Sequence, residues 1–121
     1  MPKVVGAVYE NLSARFKGVF TYEEEEFTIG TTPVLIRSSD IERVSLLVQN
    51  TGLTTFYIGP SPAVSATRGI RLGPTGGLAS MDVYEDSILP AVSWYAVSSG
   101  AGGTLYVLST KRVTILSTEE D

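Results

Sequence analysis

From residue 33 onward the chain is written in short apolar bursts of four to seven residues, recurring at roughly ten-residue spacing with Gly or Pro in nearly every connection. That rhythm constrains the fold more than any other feature. No stretch after residue 32 carries the i, i+3, i+4 recurrence that a ten-residue amphipathic helix needs. Pro33-Val34-Leu35-Ile36-Arg37 reads as a short strand. Arg43-Val44-Ser45-Leu46-Leu47-Val48-Gln49 is a strand with Val44, Leu46 and Val48 on one face and Arg43, Ser45 and Gln49 on the other, Leu47 breaking the polar face. Asn50-Thr51-Gly52 is a turn signal, and Thr54-Thr55-Phe56-Tyr57-Ile58-Gly59 is the expected hairpin partner. Gly59-Pro60-Ser61-Pro62 ends it, because proline cannot donate to a ladder. Strands are also expected at residues 64–67, 70–72 and, with partial alternation, 78–84, with turns at Gly69 and at Gly73-Pro74-Thr75-Gly76-Gly77. Trp94-Tyr95-Ala96-Val97-Ser98 and Thr104-Leu105-Tyr106-Val107-Leu108 are expected to form strands joined across a hairpin tip at residues 99–103. Residues 111–116 supply a last strand and 117–121 an acidic tail that frays. The pattern predicts an all-β fold: an antiparallel β-sandwich or small barrel, jelly-roll-like, with an N-terminal extension.

Residues 1–32 differ from this, and the expected organisation is an N-terminal arm or edge strands over 1–32 and a β-sandwich domain over 33–121. Apolar residues in the first part are intermittent, with one or two helical turns expected at 11–16 and a strand at 16–22. Ordering about 30 residues costs on the order of 45 kcal/mol at roughly 1.5 kcal/mol each. A weakly patterned segment offsets that more readily by packing on a neighbouring subunit. Val4, Val5, Val8, Phe16, Val19 and Phe20 are therefore expected to be interface residues in a homo-oligomer. The alternative is that residues 16–30 supply edge strands to the same sandwich. Glu23-Glu24-Glu25-Glu26 reads as a solvated loop or edge. Its other uses would be an acidic contact surface or a divalent-cation site. Successive carboxylates on a strand point to opposite faces, however, and make a poor cage.

Composition narrows the function. The 121 residues make one domain, and the chain has neither His nor Cys. This excludes disulfides, thiol nucleophiles, His-based triads and the commonest general base. A net charge of −4 with nine basic residues scattered along the chain, only Lys111 and Arg112 adjacent, gives no nucleic-acid footprint. The apolar run at the start is too short for a signal peptide. The uncharged run 87–110 is long enough to span a bilayer, but it holds Pro90 and three glycines, and its apolar residues come in β-like bursts, so no membrane segment is expected. Gly73-Pro74-Thr75-Gly76-Gly77 lacks the Lys-Ser/Thr and the helix of a phosphate loop, and Gly100-Ala101-Gly102-Gly103 lacks a βαβ context. Ser87, Ser93 and Lys111 do not assemble into a Ser-Lys nucleophile by spacing. Asp82, Glu85 and Asp86 contain a carboxylate pair, but a domain of this size hardly supplies a glycosidase cleft, and a cation site or a polar loop rim remain as readings. Trp94, Tyr95, Tyr57, Tyr84 and Tyr106 offer aromatics for a sugar platform, with Tyr57, Trp94 and Tyr95 as the candidate contacts; on strands such residues are otherwise core or interface anchors. No catalytic residue, metal site or cofactor is expected, and the chain reads as no enzyme.

One block carries a resemblance. Arg43-Val44-Ser45-Leu46-Leu47-Val48-Gln49-Asn50-Thr51-Gly52, then Phe56-Tyr57-Ile58-Gly59, Val64-Ser65 and Gly69-Ile70-Arg71-Leu72-Gly73-Pro74, resembles a pattern of small virion proteins of tailed bacteriophages. Trp94-Tyr95-Ala96-Val97 and Gly103-Thr104-Leu105-Tyr106-Val107 match the ending of that pattern, and Gly73-Pro74-Thr75 departs from its more usual Pro-Gly. The resemblance covers about residues 40–110 and its motifs are β-hairpin grammar. It implies a structural particle protein: a capsid decoration (cement) protein, or a tail, fibre or head-fibre component. The expected partners are the major capsid protein or another virion protein and copies of the chain itself, as a trimer by family analogy. The expected location is the virion, assembled in the host cytoplasm. The alternative is a carbohydrate-binding or receptor-binding β-module of a tail or fibre.

Overall fold

The computed structural model describes residues 19–113, which form β1 (Val19–Ile29), β2 (Val34–Arg37), β3 (Arg43–Asn50), β4 (Phe56–Gly59), β5 (Ile70–Leu72), β6 (Leu78–Asp82), β7 (Trp94–Ser98) and β8 (Gly103–Val113). A single helical turn, α1 (Val83–Asp86), and a 3₁₀ turn (Leu89–Ala91) lie between β6 and β7. The antiparallel pairs are nested: β1 with β8, β2 with β7, β3 with β6 and β4 with β5. The chain is thus one long hairpin with its tip between β4 and β5. Rolling that hairpin brings β8 against β3 and β7 against β4. Two four-stranded sheets result, sheet A in the order β1-β8-β3-β6 and sheet B in the order β2-β7-β4-β5. This is jelly-roll connectivity, and the sheets form a sandwich, not a closed barrel.

The roll overturns two local expectations. β3 and β4 are not hairpin partners, and neither are β7 and β8; in both cases the chain crosses from one sheet to the other. The β3–β4 crossing is held by Asn50, which is fully buried. Its Nδ2 donates to the carbonyls of Thr54 (2.7 Å) and Leu72 (3.0 Å), and its Oδ1 accepts from the Gly52 amide at 3.0 Å. The β7–β8 corner needs glycine: a Cβ on Gly103 would lie 2.6 Å from Thr54 Oγ1 and 2.7 Å from Ser98 Oγ. The strand expected at 64–67 is a loop with one isolated bridge, Ser65 to Arg68. The hydroxyls of Ser61 and Ser65 there accept from the amides of Ala63 and Thr67, offering the backbone turns in place of a ladder. The separate strands expected at 104–108 and 111–116 are one strand, β8, as far as the description extends. Residues 87–110 form the 3₁₀ turn, β7 and most of β8, and no helix among the described residues is long and apolar enough to cross a membrane.

Alternation fixes which side chains meet between the sheets. Leu46 and Val48 of β3, Leu105 and Val107 of β8, Met81 of β6 and Ile29 of β1 face Phe56 and Ile58 of β4, Leu72 of β5, Ile36 of β2 and Trp94 and Ala96 of β7. Each such aliphatic or Phe side chain taken fully from water contributes about 1.5–3 kcal/mol. Two bulges modify the pattern. The register of β3 on β8 slips between Arg43 and Ser45, so Arg43 is buried while Val44, expected inside, is only half-buried. The register of β2 on β7 slips between Leu35 and Arg37, which turns both Ile36 and Arg37 inward.

Candidate interaction surfaces

The four consecutive glutamates lie on β1, an edge strand of sheet A, and alternate as the backbone dictates. Glu25 and Glu23 reach the inward side, where buried Arg37 meets Glu25 Oε1 at 2.9 Å and lies 4.0 Å from Glu23 Oε1. The same guanidinium donates to Ser109 Oγ (3.2 Å) and to the Ile36 carbonyl (2.8 Å). Glu24 points outward and accepts the Tyr106 hydroxyl at 2.8 Å, and this hydrogen bond raises the Tyr106 pKa. The run is therefore half clasp and half surface. Among the described residues no group of three or more Asp, Glu, His or Cys side chains is arranged to hold a metal ion.

The charges at the β2–β3 connection are also internal fasteners. Asp40 Oδ1 accepts the Glu42 amide at 2.9 Å and Oδ2 meets Lys111 Nζ at 3.0 Å. The backbone hydrogen bond from Glu42, followed by the Lys111 contact, outweighs desolvation and holds the Asp40 carboxyl below the usual carboxylate range. Arg43 donates to the carbonyls of Ser38 and Val92. Burial lowers its pKa, opposed by the charge of Asp40. Lys111 is thus engaged with Asp40, and Ser93 Oγ donates to the Pro60 carbonyl at 3.4 Å. In the glycine-rich turn, the amides of Thr75, Gly76 and Gly77 donate to the carbonyls of Gly52, Asn50 and Gly73. The first two fasten the turn to the β3–β4 crossing and the third closes the turn on itself.

The expected aromatics separate. Trp94 is 2% exposed in the core, with Nε1 donating to the Leu89 carbonyl at 2.8 Å. Its ring is packed between the sheets and presents no platform. Tyr57 and Tyr95 are half-buried. Tyr57 stands opposite Val97 and Tyr95 opposite Gly59, which makes the two tyrosines diagonal neighbours on the outer face of sheet B. Leu35, opposite Tyr95, extends that face. Of the expected interface residues, Val19 and Phe20 begin β1, opposite Val113 and Arg112. Val4, Val5, Val8 and Phe16 lie outside the described residues.

A hollow opens on the outer face of sheet A, with a volume of about 510 Å³. Leu47 and Leu108, directly opposite in register, form its floor, with Ser45, Thr110 and Ser80 around them. Asp82, Glu85 and Asp86 form one rim. They are placed there by α1: Asp82 caps it, accepting from the amides of Tyr84 and Glu85 at 2.9 Å each, and Asp86 Oδ2 accepts the Asp82 amide at 3.0 Å. The acid cluster visible in the sequence is thus the border of a depression. The depression itself, the Arg37 clasp and the Asn50 tie are not visible there. Its floor comes from two strands far apart in the chain, and Leu47 is marked in the sequence only as an interruption of a polar face.

No protein-family model matches the chain, and no curated protein sequence matches it. Among solved structures it is similar to a chain from Bacillus endospore appendages, described as a novel family of disulfide-linked pili, with TM-score 0.45 and 16% identity over 79% of this chain and 88% of that one. It is also similar to the tobacco streak virus coat protein, with TM-score 0.39 and 10% identity over 80% of this chain and 90% of that one.

Proposed function

We propose that the protein is a non-enzymatic structural component of a virion, a capsid decoration protein that binds the head surface and stabilises it through contacts among copies of itself, as a trimer. The observation that carries this reading is a concentration of exposed apolar side chains along one edge of the sandwich. Leu78, Tyr84, Ile88 and Leu89, all within one stretch from β6 to the 3₁₀ turn, are 54%, 65%, 67% and 41% exposed. Large apolar groups gathered at one border are a feature of surfaces that meet another protein. Support also comes from the sequence resemblance over about residues 40–110 and from jelly-roll connectivity, which viral capsid domains use among others. Fold analogy by itself does not fix function, since lectins use the same connectivity. The test is to mix purified protein with expanded phage heads. Co-sedimentation and a raised head-disruption temperature are expected, and free protein with an unchanged disruption temperature would refute the reading.

A second reading is sugar binding, favoured by one observation: Tyr57 and Tyr95 share the outer face of sheet B. It predicts that a glycan array gives binders whose affinity is lost in Tyr57→Ala while head binding is kept. A glycan that binds the wild-type protein and Tyr57→Ala equally would remove it.

A further inference from the structure

The depression on sheet A combines an apolar floor with a carboxylate rim, and the first 18 residues of the same chain carry the complementary chemistry. They hold Lys3, Arg15 and Lys17 against a single acid, Glu10, and apolar groups that include Phe16. We propose that the Arg15-Phe16-Lys17 segment of a second copy docks in this depression, Phe16 on the Leu47 and Leu108 floor and the two cations on the rim of Asp82, Glu85 and Asp86. The inference rests on the oligomeric reading above and gives it a specific contact.

Where β1 begins decides between the chain's own segment and a neighbour's. Val19 stands opposite Val113, whereas the Leu47 and Leu108 floor lies at the level of Glu24, which is opposite Leu108. Its centre, on β3, is two strands across from β1. Five residues along and two strands across amount to roughly 20 Å at about 3.4 Å per residue and about 4.8 Å per strand. Phe16 is three residues before Val19, so its backbone reaches about 10 Å and its ring about 6 Å further. A copy's own Phe16 therefore stops short of the centre, while a neighbour's is not tethered in this way. The rim retains acceptor capacity, because the hydrogen bonds around α1 use one oxygen each of Asp82 and Asp86 and none of Glu85's carboxylate. Long Arg and Lys stems suit such a border, lying over apolar surface with their charges at its edge.

The test reads oligomeric state by light scattering on three full-length chains: wild type, Arg15→Glu with Lys17→Glu, and Ser80→Lys with Glu85→Lys. Asp82 and Asp86 stay untouched because they hold α1. The wild type is expected to associate. Each altered chain alone is expected to associate at least about tenfold more weakly, since in one an acidic arm faces the acidic rim and in the other the two introduced lysines leave the rim with no net charge to hold the basic arm. An equimolar mixture of the two altered chains is expected to associate more strongly than either alone, because the basic arm of one meets the acidic rim of the other, and the acidic arm meets the two introduced lysines. A segment docking within its own copy would give no such gain by mixing, and that result overturns the proposal. So does a charge-reversed arm that associates like wild type, or a wild type that is monomeric at micromolar concentration. Head co-sedimentation of the same preparations separates this failure from failure of the decoration reading. Should the Ser80→Lys, Glu85→Lys chain not fold, as read by circular dichroism, a peptide of residues 1–18 replaces it. The peptide is expected to compete the wild-type oligomer apart in a salt-dependent way, and its Arg15→Glu, Lys17→Glu version is not. Equal competition by both peptides, or by neither, rejects the docking.

Discussion

Asn50 has no exposure to water, yet both polar atoms of its side chain are used, Nδ2 on the carbonyls of Thr54 and Leu72 and Oδ1 on the Gly52 amide. Its backbone amide donates to Gly77 and its carbonyl accepts from Gly76, so one residue ties the β3–β4 crossing to the β5–β6 turn. Asn50→Ala leaves those partners without an acceptor or donor, the Leu72 carbonyl in a buried place and the Thr54 and Gly52 groups at its part-buried margin. The expected cost is about 3 kcal/mol, more than a typical hydrogen bond because buried groups are stranded. Asn50→Asp is expected to cost at least as much, since a carboxylate would face two carbonyl oxygens. Urea denaturation checks both, as a lowered midpoint at constant slope. Arg37 is a weaker fastener than its burial suggests. Its partner Glu25 is half exposed at 50%, so the pair is screened by water, and much of the residue's contribution is its stem and the Ser109 hydrogen bond. In the sequence, Asn50 is legible only as the first residue of a turn and Arg37 only as the end of a strand. The partners that make them structural come from β4, β5, β1 and β8, beyond any local pattern.

At the level of elements, strand content was legible and strand partnership was not. The bursts at 34–37, 43–49, 54–59, 70–72, 78–84 and 94–98 all contain strands, because period-two burial is a local property. A turn of Asn-Thr-Gly reads the same whether the next strand pairs with the last or crosses to the facing sheet, so the two expected hairpins became crossings. The bulge that brought Arg43 inside instead of Val44 has no local sign either. The connection from β2 to β3 yields a pH prediction. Asp40 is held below its ordinary pKa, first by the Glu42 amide, so the unfolded chain takes up this proton before the folded one. The stability it contributes is present above about pH 4, the unfolded value, and is lost as pH falls through the folded pKa. Asp40→Asn is therefore expected to be less stable than wild type at neutral pH, and the gap is expected to narrow below about pH 4, read from urea midpoints across a pH series. The edge strand β1 yields another. Its outer ladder groups invite pairing with a second chain, and outward charges on an edge oppose that. Replacing outward Glu24 and Glu26 by Thr, with the Arg37 clasp left intact, is expected to keep the fold and to raise turbidity on mild heating. Unchanged turbidity would show that these carboxylates do not guard the edge.

For the whole molecule, the nested hairpin makes the two sheets interdependent. The only connection that stays within one sheet is β4 to β5; every other link among β1 to β8 passes between sheets. Neither sheet is a continuous piece of chain, and the core is made from one face of each. The pairing of β1 with β8 closes the roll across most of the described sequence, a contact of long range that carries a large loop-closure cost. Such a topology leaves no room for a half-folded state with one sheet intact. The single tryptophan makes this measurable. Trp94 is in β7 of sheet B, whereas Leu46, 1% exposed, is in β3 of sheet A. Leu46→Ala removes packing at the centre of the facing sheet and is expected to cost about 2–5 kcal/mol. If folding is one cooperative event, the Trp94 fluorescence transition moves by that full amount and coincides with the loss of β-sheet circular dichroism. A Trp94 transition that stays at its wild-type midpoint while the dichroism shifts would mean that sheet B survives without sheet A, which the interleaved connections forbid.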